Sequence, residues 1–191
     1  LGLQNDYDIE NEFNANSAIF VILDPVDGSD NMRPWRTPSP SVSVSVAVGE
    51  ISSLTTREAF DAVDVGVVID IFNDRLYSAE RGKGATVLNF GEIRSSLNEN
   101  IDEAIIGADF DLQKDAFTEV GNRLWPLLQT SKCQRRLGSS ILDFMKVACG
   151  EYDAFCSLGY RIKFHDLAAA KLIIEEAGGM VEISSDTEYS S

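Results

Sequence analysis

Short apolar runs separated by turn residues dominate the first half of the chain, and helical spacing dominates the second. Residues 18–24 (AIFVILD) form a β-rich apolar run that reaches an Asp-Pro step, which predicts a buried strand stopped by Pro25. Residues 25–40 hold four of the five prolines and read as a loop. Residues 41–48 (SVSVSVAV) alternate small polar residues with aliphatic ones, the pattern of a strand with one buried face. Residues 64–71 and 75–79 predict a hairpin about Asn73-Asp74, and Arg81-Gly82-Lys83-Gly84-Ala85 predicts a glycine-marked turn. Residues 104–108 predict a short strand. Residues 115–129 have helical spacing, with Pro126 predicted to kink or end the helix. Residues 140–148 predict a second helix with Gly150 as its stop, and residues 152–158 a strand. Residues 166–177 read most clearly as helix, with Gly178-Gly179 ending it, and residues 180–183 as a last strand. Antiparallel strands come first and alternating strands and helices follow. This order predicts an α+β layer joined to an α/β layer, divided as 1–103 and 104–191 and packed as one unit.

Composition narrows the class. The 191 residues suffice for a sizeable core, and 44% hydrophobic with 25% charged residues is the profile of a globular protein rather than a disordered one. Three cysteines without C-x-x-C spacing argue against a disulfide scaffold or a cysteine zinc site and fit a reducing cytoplasm. A single histidine, His165, excludes a multi-histidine metal site. No apolar run approaches the roughly 20 residues of a membrane span. The formal net charge of −15 disfavours nucleic acid and anionic membrane as partners. The acids cluster at the two ends: residues 1–31 hold seven with no Lys or Arg, and residues 164–191 hold six with only Lys171. Acidic ends keep a chain soluble, or together they build a cation site, and composition leaves both readings open.

The sharpest local feature is Asp24-Pro25-Val26-Asp27-Gly28-Ser29-Asp30-Asn31 after the first apolar run. In a straight strand Asp24 and Asp27 point to opposite faces, but Pro25 and Gly28 let the chain turn so that both carboxylates and the Val26 carbonyl converge. Such an oxygen-only set suits Mg²⁺. Gly28 and Ser29 can follow with N–H groups for a phosphate. From the residues alone an ordinary turn is the better reading, since Asp, Pro and Gly are common turn formers. An aspartyl-phosphate nucleophile is excluded, because that chemistry uses D-x-D spacing.

The whole octet resembles the first signature of the inositol monophosphatase family, the Mg²⁺-dependent, lithium-sensitive phosphatases related to fructose-1,6-bisphosphatase, with Met32 where Phe or Tyr is usual. Asp166-Leu167-Ala168-Ala169-Ala170-Lys171-Leu172-Ile173-Ile174, followed by Gly178-Gly179, is similar to the second signature, with His165 in place of the usual Trp, Tyr, Val or Thr. Residues 40–45, 81–85 and 136–140 resemble weaker family stretches in the same order. The resemblance implies a layered αβαβα sandwich. It implies that Asp24, the Val26 carbonyl, Asp27 and Asp166 hold two or three Mg²⁺ ions, with Mn²⁺ as a substitute. It gives Gly28 and Ser29 the phosphate, and the Ser29 hydroxyl the attacking water. Read alone, Asp166 is better taken as a helix N-cap. The implied reaction is in-line hydrolysis of an inositol or sugar phosphate monoester.

The family also carries a Glu-Glu pair upstream of the first signature. Here Glu10 and Glu12 are separated, and the expectation is that the chain begins just after that pair, without the family's N-terminal helices. Ser139 and Ser140 occupy the family's substrate loop, and Arg161 and Lys163 are candidate substrate cations, Lys163 being equally a surface lysine. Ser157 and Gly159 stand where archaeal-type bisphosphatase relatives carry Asp and Arg. His165 is expected to pack rather than ligate. The alternatives are a nucleotide 3′-phosphatase acting on adenosine bisphosphate and an impaired member that only binds ligand. A cytoplasmic homodimer acting on a small phosphate ester is the implied setting.

Overall fold

The β-rich runs of the first half pair with their sequence neighbours. In a computed structural model, which describes residues 19–32, 40–55, 59–109, 117–157 and 162–183, they form one antiparallel six-stranded sheet in chain order. Its strands are β1 (Ile19–Asp27), β2 (Ser43–Glu50), β3 (Val63–Asp70), β4 (Arg75–Glu80), β5 (Ala85–Val87) and β6 (Gly91–Glu92). Pro25 does not stop β1. The strand lies at the sheet edge, where a missing N–H breaks no ladder, and it continues to Asp27 through a register shift.

The alternation in β2 holds, but the small residues face inward. Ser43, Ser45 and Ala47 are at most 2% exposed, while Val44, Val46 and Val48 are half-buried on the other face. The cause is the helix packed on that face, α3 (Phe164–Glu176). Ala168, Ala169 and Ala170 are buried along it, and Gly66 on β3 lies under Ala169 so closely that an added Cβ would stand 2.9 Å from the Ala169 carbonyl oxygen. Small residues on both sides bring helix and sheet together. α3 is buried from Leu167 to Ile174 around most of its circumference because α2 (Ser140–Ala148) packs beside it, and such helices lie in the middle of a layered fold. α3 starts at Phe164, two residues before the predicted start, with Asp166 reaching back to the Lys163 N–H at 2.8 Å.

The second half forms a parallel sheet ordered β8-β7-β9, from β7 (Ile105–Asp109), β8 (Cys133–Arg135) and β9 (Ala154–Ser157). α1 (Phe117–Thr130) connects β7 to β8, and α2 connects β8 to β9. Pro126 does not end α1. The helix runs on to Thr130, whose hydroxyl donates to the Pro126 carbonyl at 2.9 Å, and Pro126 itself is exposed. Gly150 follows α2 in the left-handed region at φ 68°. Residues 180–183 are not a strand: Val181 and Ile183 pack against the core with no ladder partner among the described residues. The Arg81–Ala85 turn is held from a distance, since the Gly82 and Gly84 N–H groups donate to the Glu176 carboxylate at 2.6 and 2.8 Å. Phe144 and Phe155 meet edge to face at 4.9 Å between α2 and β9. The three cysteines are free, and no helix among the described residues is long and apolar enough to cross a membrane.

Candidate metal and phosphate site

The site forms where β1 ends. Asp24 pairs with Ser45 and Asp27 with Ser43, so three steps on β1 answer two on β2. The extra residue is a bulge, and it turns both carboxylates toward the same side of the sheet. Asp24 is 5% exposed, and its Oδ1 accepts the Val26 N–H at 3.1 Å, which holds the bulge. After Asp27 the chain turns at Gly28 with φ 81°. An added Cβ there would meet the Ser41 carbonyl oxygen at 2.5 Å, so glycine is required twice over. Ser29–Asn31 form a single 3₁₀ turn. Asn31 Nδ2 donates to the carbonyls of Ser41, Leu137 and Gly138 at 2.7, 3.2 and 3.2 Å, tying the turn to β2 and to the loop before α2.

α2 points its N-terminus at this turn. Asp27 Oδ2 accepts the Ile141 N–H at 3.0 Å and the Ser139 hydroxyl at 2.5 Å. Ser139 also caps α2 by accepting the Leu142 N–H at 3.3 Å, and its hydroxyl lies 3.3 Å from that of Ser43. At 1% exposure Ser139 supports the site from behind rather than facing a ligand, while Ser140 lines the cavity.

α3 supplies the remaining groups. Asp166 Oδ2 takes the Lys163 N–H, which leaves Oδ1 facing His165 Nε2 at 3.4 Å. One ligand atom each from Asp24, His165 and Asp166 lie within 4.8 Å of one another, and this set can hold a metal ion. These groups surround a cavity of about 270 Å³ that Val26, Asp27, Gly28, Ser29, Ser140 and Lys163 also line. Arg161 lies outside the described residues, as do Glu10, Glu12 and Gly159. Asp30, Asp109, Gly138, Ser157 and Ile162 complete the lining. Asp109 ends the central strand β7, and Ser157 ends β9. In the order β8-β7-β9 their carboxyl ends flank the point where the connections diverge, the usual ligand crevice of a parallel sheet. Arg136 stands 2.7 Å from Asp109 Oδ1.

The electrostatics suit a cation. Burial, together with repulsion from Asp24, pushes Asp27 above the ordinary carboxylate range against the pull of Ser139 and Ile141. Asp166 is pushed up to about 6, first by burial, with Asp24 and Asp27 adding to it and the Lys163 N–H and His165 opposing. Carboxylates crowded in a closed space repel one another, and a divalent ion is the natural counter-charge. The donor set, oxygens with one imidazole, fits such an ion.

A profile of the inositol monophosphatase family matches residues 4–188. The chain is 35% identical over 173 residues to a fructose-1,6-bisphosphatase/inositol-1-monophosphatase of Methanothermobacter thermautotrophicus, covering 91% of the chain and 58% of that protein. It is 32% identical over 180 residues to inositol monophosphatase 1 of Solanum lycopersicum, covering 93% and 61% respectively. Among solved structures it superposes on the suppressor protein SuhB of Bartonella henselae with a TM-score of 0.73 and 27% identity, covering 88% of the chain and 60% of that structure. An IMPase of Thermotoga maritima gives 0.66 and 30%, covering 90% and 59%. The chain thus spans about three-fifths of the length of these relatives. With both signatures in place and the fold shared, the chain belongs to the inositol monophosphatase family.

Proposed function

We propose that the protein is a divalent-cation-dependent phosphatase acting on a small phosphate monoester of a polyol or sugar. The observation that carries this reading is the convergence of Asp24, Asp27 and Asp166, from opposite ends of the chain, on one cavity beside the Gly28–Ser29 turn. Asp24, Asp27, Asp166 and the Val26 carbonyl would hold Mg²⁺ or Mn²⁺. When bound, such ions lower the pKa of water and offset charge on the phosphoryl group.

The chain's own groups do the positioning. The bulge fixes the carboxylates, and α2 anchors Asp27 through Ile141 and Ser139. Gly28 and Ser29 line the cavity, where the exposed Ser29 and the turn backbone would receive the phosphate. Ser140 and Lys163 border the leaving-group side together with Ser157 and Asp109. No side chain needs to form a covalent intermediate, because water is the nucleophile. In this division residues 1–103 supply the bulge ligands and residues 104–191 supply Asp166 and the substrate wall.

Phosphate release from inositol 1-phosphate, fructose 1,6-bisphosphate and adenosine 3′,5′-bisphosphate, each with Mg²⁺ and with Mn²⁺, tests the reading. Release from the first two supports it. Release confined to the nucleotide points to a 3′-phosphatase. No release from any of them by the full-length protein refutes catalysis and favours a ligand-binding member.

A further inference from the structure

From the sequence His165 is expected to pack rather than ligate. The structure places it otherwise. Its side chain is 30% exposed, it lines the cavity, and its Nε2 faces Asp166 Oδ1 at 3.4 Å. That separation is long for a hydrogen bond between nitrogen and oxygen. It does match two ligands of one ion: with bonds of about 2.1 Å at angles of about 90–110°, the two donor atoms stand roughly 3.0–3.4 Å apart. Asp166 Oδ2 is occupied by the Lys163 N–H, so Oδ1 is the oxygen presented to the cavity. Asp24, 5% exposed, places its own ligand atom within 4.8 Å of both.

We propose that His165 is a metal ligand that completes a nitrogen-containing site with Asp24 and Asp166, and that this site selects a first-row transition ion over Mg²⁺. The chemistry follows from donor type. Mg²⁺ is a hard ion that keeps waters and takes oxygen ligands, whereas imidazole suits Mn²⁺, Co²⁺ and Zn²⁺ progressively better. Two carboxylates and one imidazole form a mixed set in which nitrogen contributes to Mn²⁺ binding and little to Mg²⁺ binding. Mn²⁺ is the probe of choice because it is paramagnetic.

The inference rests on the reading of Asp24 and Asp166 as metal ligands, and its test does not require turnover. Mn²⁺ is titrated into the metal-free full-length protein and followed by electron paramagnetic resonance, with Mg²⁺ as competitor. Electron spin echo modulation then looks for a directly bonded ¹⁴N nucleus. The expected result is nitrogen modulation in the wild-type complex. His165→Ala, shown to be folded by circular dichroism, loses that modulation and binds Mn²⁺ at least about tenfold more weakly, with Mg²⁺ affinity changed less than about twofold. Nitrogen-free Mn²⁺, an unchanged Mn²⁺ to Mg²⁺ preference in His165→Ala, or no Mn²⁺ binding by the wild type overturns the proposal. Asp24→Asn and Asp166→Asn separate the two levels. If they bind Mn²⁺ as tightly as the wild type, the ligand assignment beneath the proposed function fails, whereas loss of nitrogen modulation alone removes only His165.

Discussion

Asp27 at the end of β1 accepts the backbone N–H of Ile141 in the first turn of α2 at 3.0 Å, which joins the β1 bulge to a helix from the other half of the chain. The same oxygen accepts the Ser139 hydroxyl. Asp27→Ala therefore takes the acceptor from the Ile141 N–H and leaves the Ser139 hydroxyl only Ser43, at a cost of about 1–3 kcal/mol. Asp27→Asn keeps an acceptor and removes a charge that burial disfavours. Without metal, the asparagine variant should melt at or above the wild type and the alanine variant several degrees below it, with both losing metal affinity. Equal melting temperatures for the two variants would refute the structural role of that oxygen.

The closeness of α3 to the sheet sets up a contrast between two glycines. Gly66→Ala places a methyl 2.9 Å from the Ala169 carbonyl oxygen and 3.3 Å from its Cα, both backbone atoms of a buried helix. It should cost about 1–3 kcal/mol. Gly121→Ala, inside α1 with nothing within 4 Å of the new methyl, should gain about 0.5–1 kcal/mol from helix propensity. Urea denaturation of both variants measures the two signs side by side.

Asp143 gives the metal-free chain a pH dependence. It is 1% exposed, and its Oδ2 faces the Leu137 N–H at 3.4 Å. Burial first, with the neighbouring Asp109 and Asp27 charges adding, pushes its pKa up to about 7. A carboxylate raised above its unfolded value binds its proton more tightly in the folded state. Stability is then greatest below the unfolded pKa near 4 and falls as pH rises toward 7. Roughly three pKa steps correspond to on the order of 4 kcal/mol. Asp143→Asn should thus stabilise the chain at pH 7.5 in chelator and have little effect at pH 4. A variant equally stabilised, or equally destabilised, at both pH values would contradict this origin.

Among the described residues the outer face of the large sheet is aliphatic and partly exposed. Val21 and Leu23 on β1, at 65% and 50% exposure, continue through Val46 and Val48 to Val65 on β3. Val21→Thr with Leu23→Thr should change stability by less than about 1 kcal/mol while clearly reducing binding of a hydrophobic dye and light scattering on storage. Undiminished dye binding would place the sticky surface elsewhere.

The first signature was legible because its ligands are contiguous, so one bulge suffices to gather Asp24 and Asp27. Asp166 was legible from the alanine-rich helix behind it. Asp109 carried no such signal. A lone acid at a strand end gains its position from the order β8-β7-β9, which no local pattern encodes. His165 lines the cavity because α3 starts at Phe164 rather than at Asp166, a helix start that the sequence pattern does not mark. The alternation in β2 divided the two faces correctly but could not say which one meets α3, since serines and glycines win where close approach matters more than apolar area. β5 and β6, three and two residues long, are too short to show a period.

The inner face of the large sheet has a consequence for synthesis. Its six strands are complete by Glu92, yet the helix that covers them spans Phe164–Glu176. On the ribosome the sheet therefore emerges with its cover still untranslated, and its inner face is left without α3 meanwhile. The inner face of the sheet can be buried only once α3 has been made.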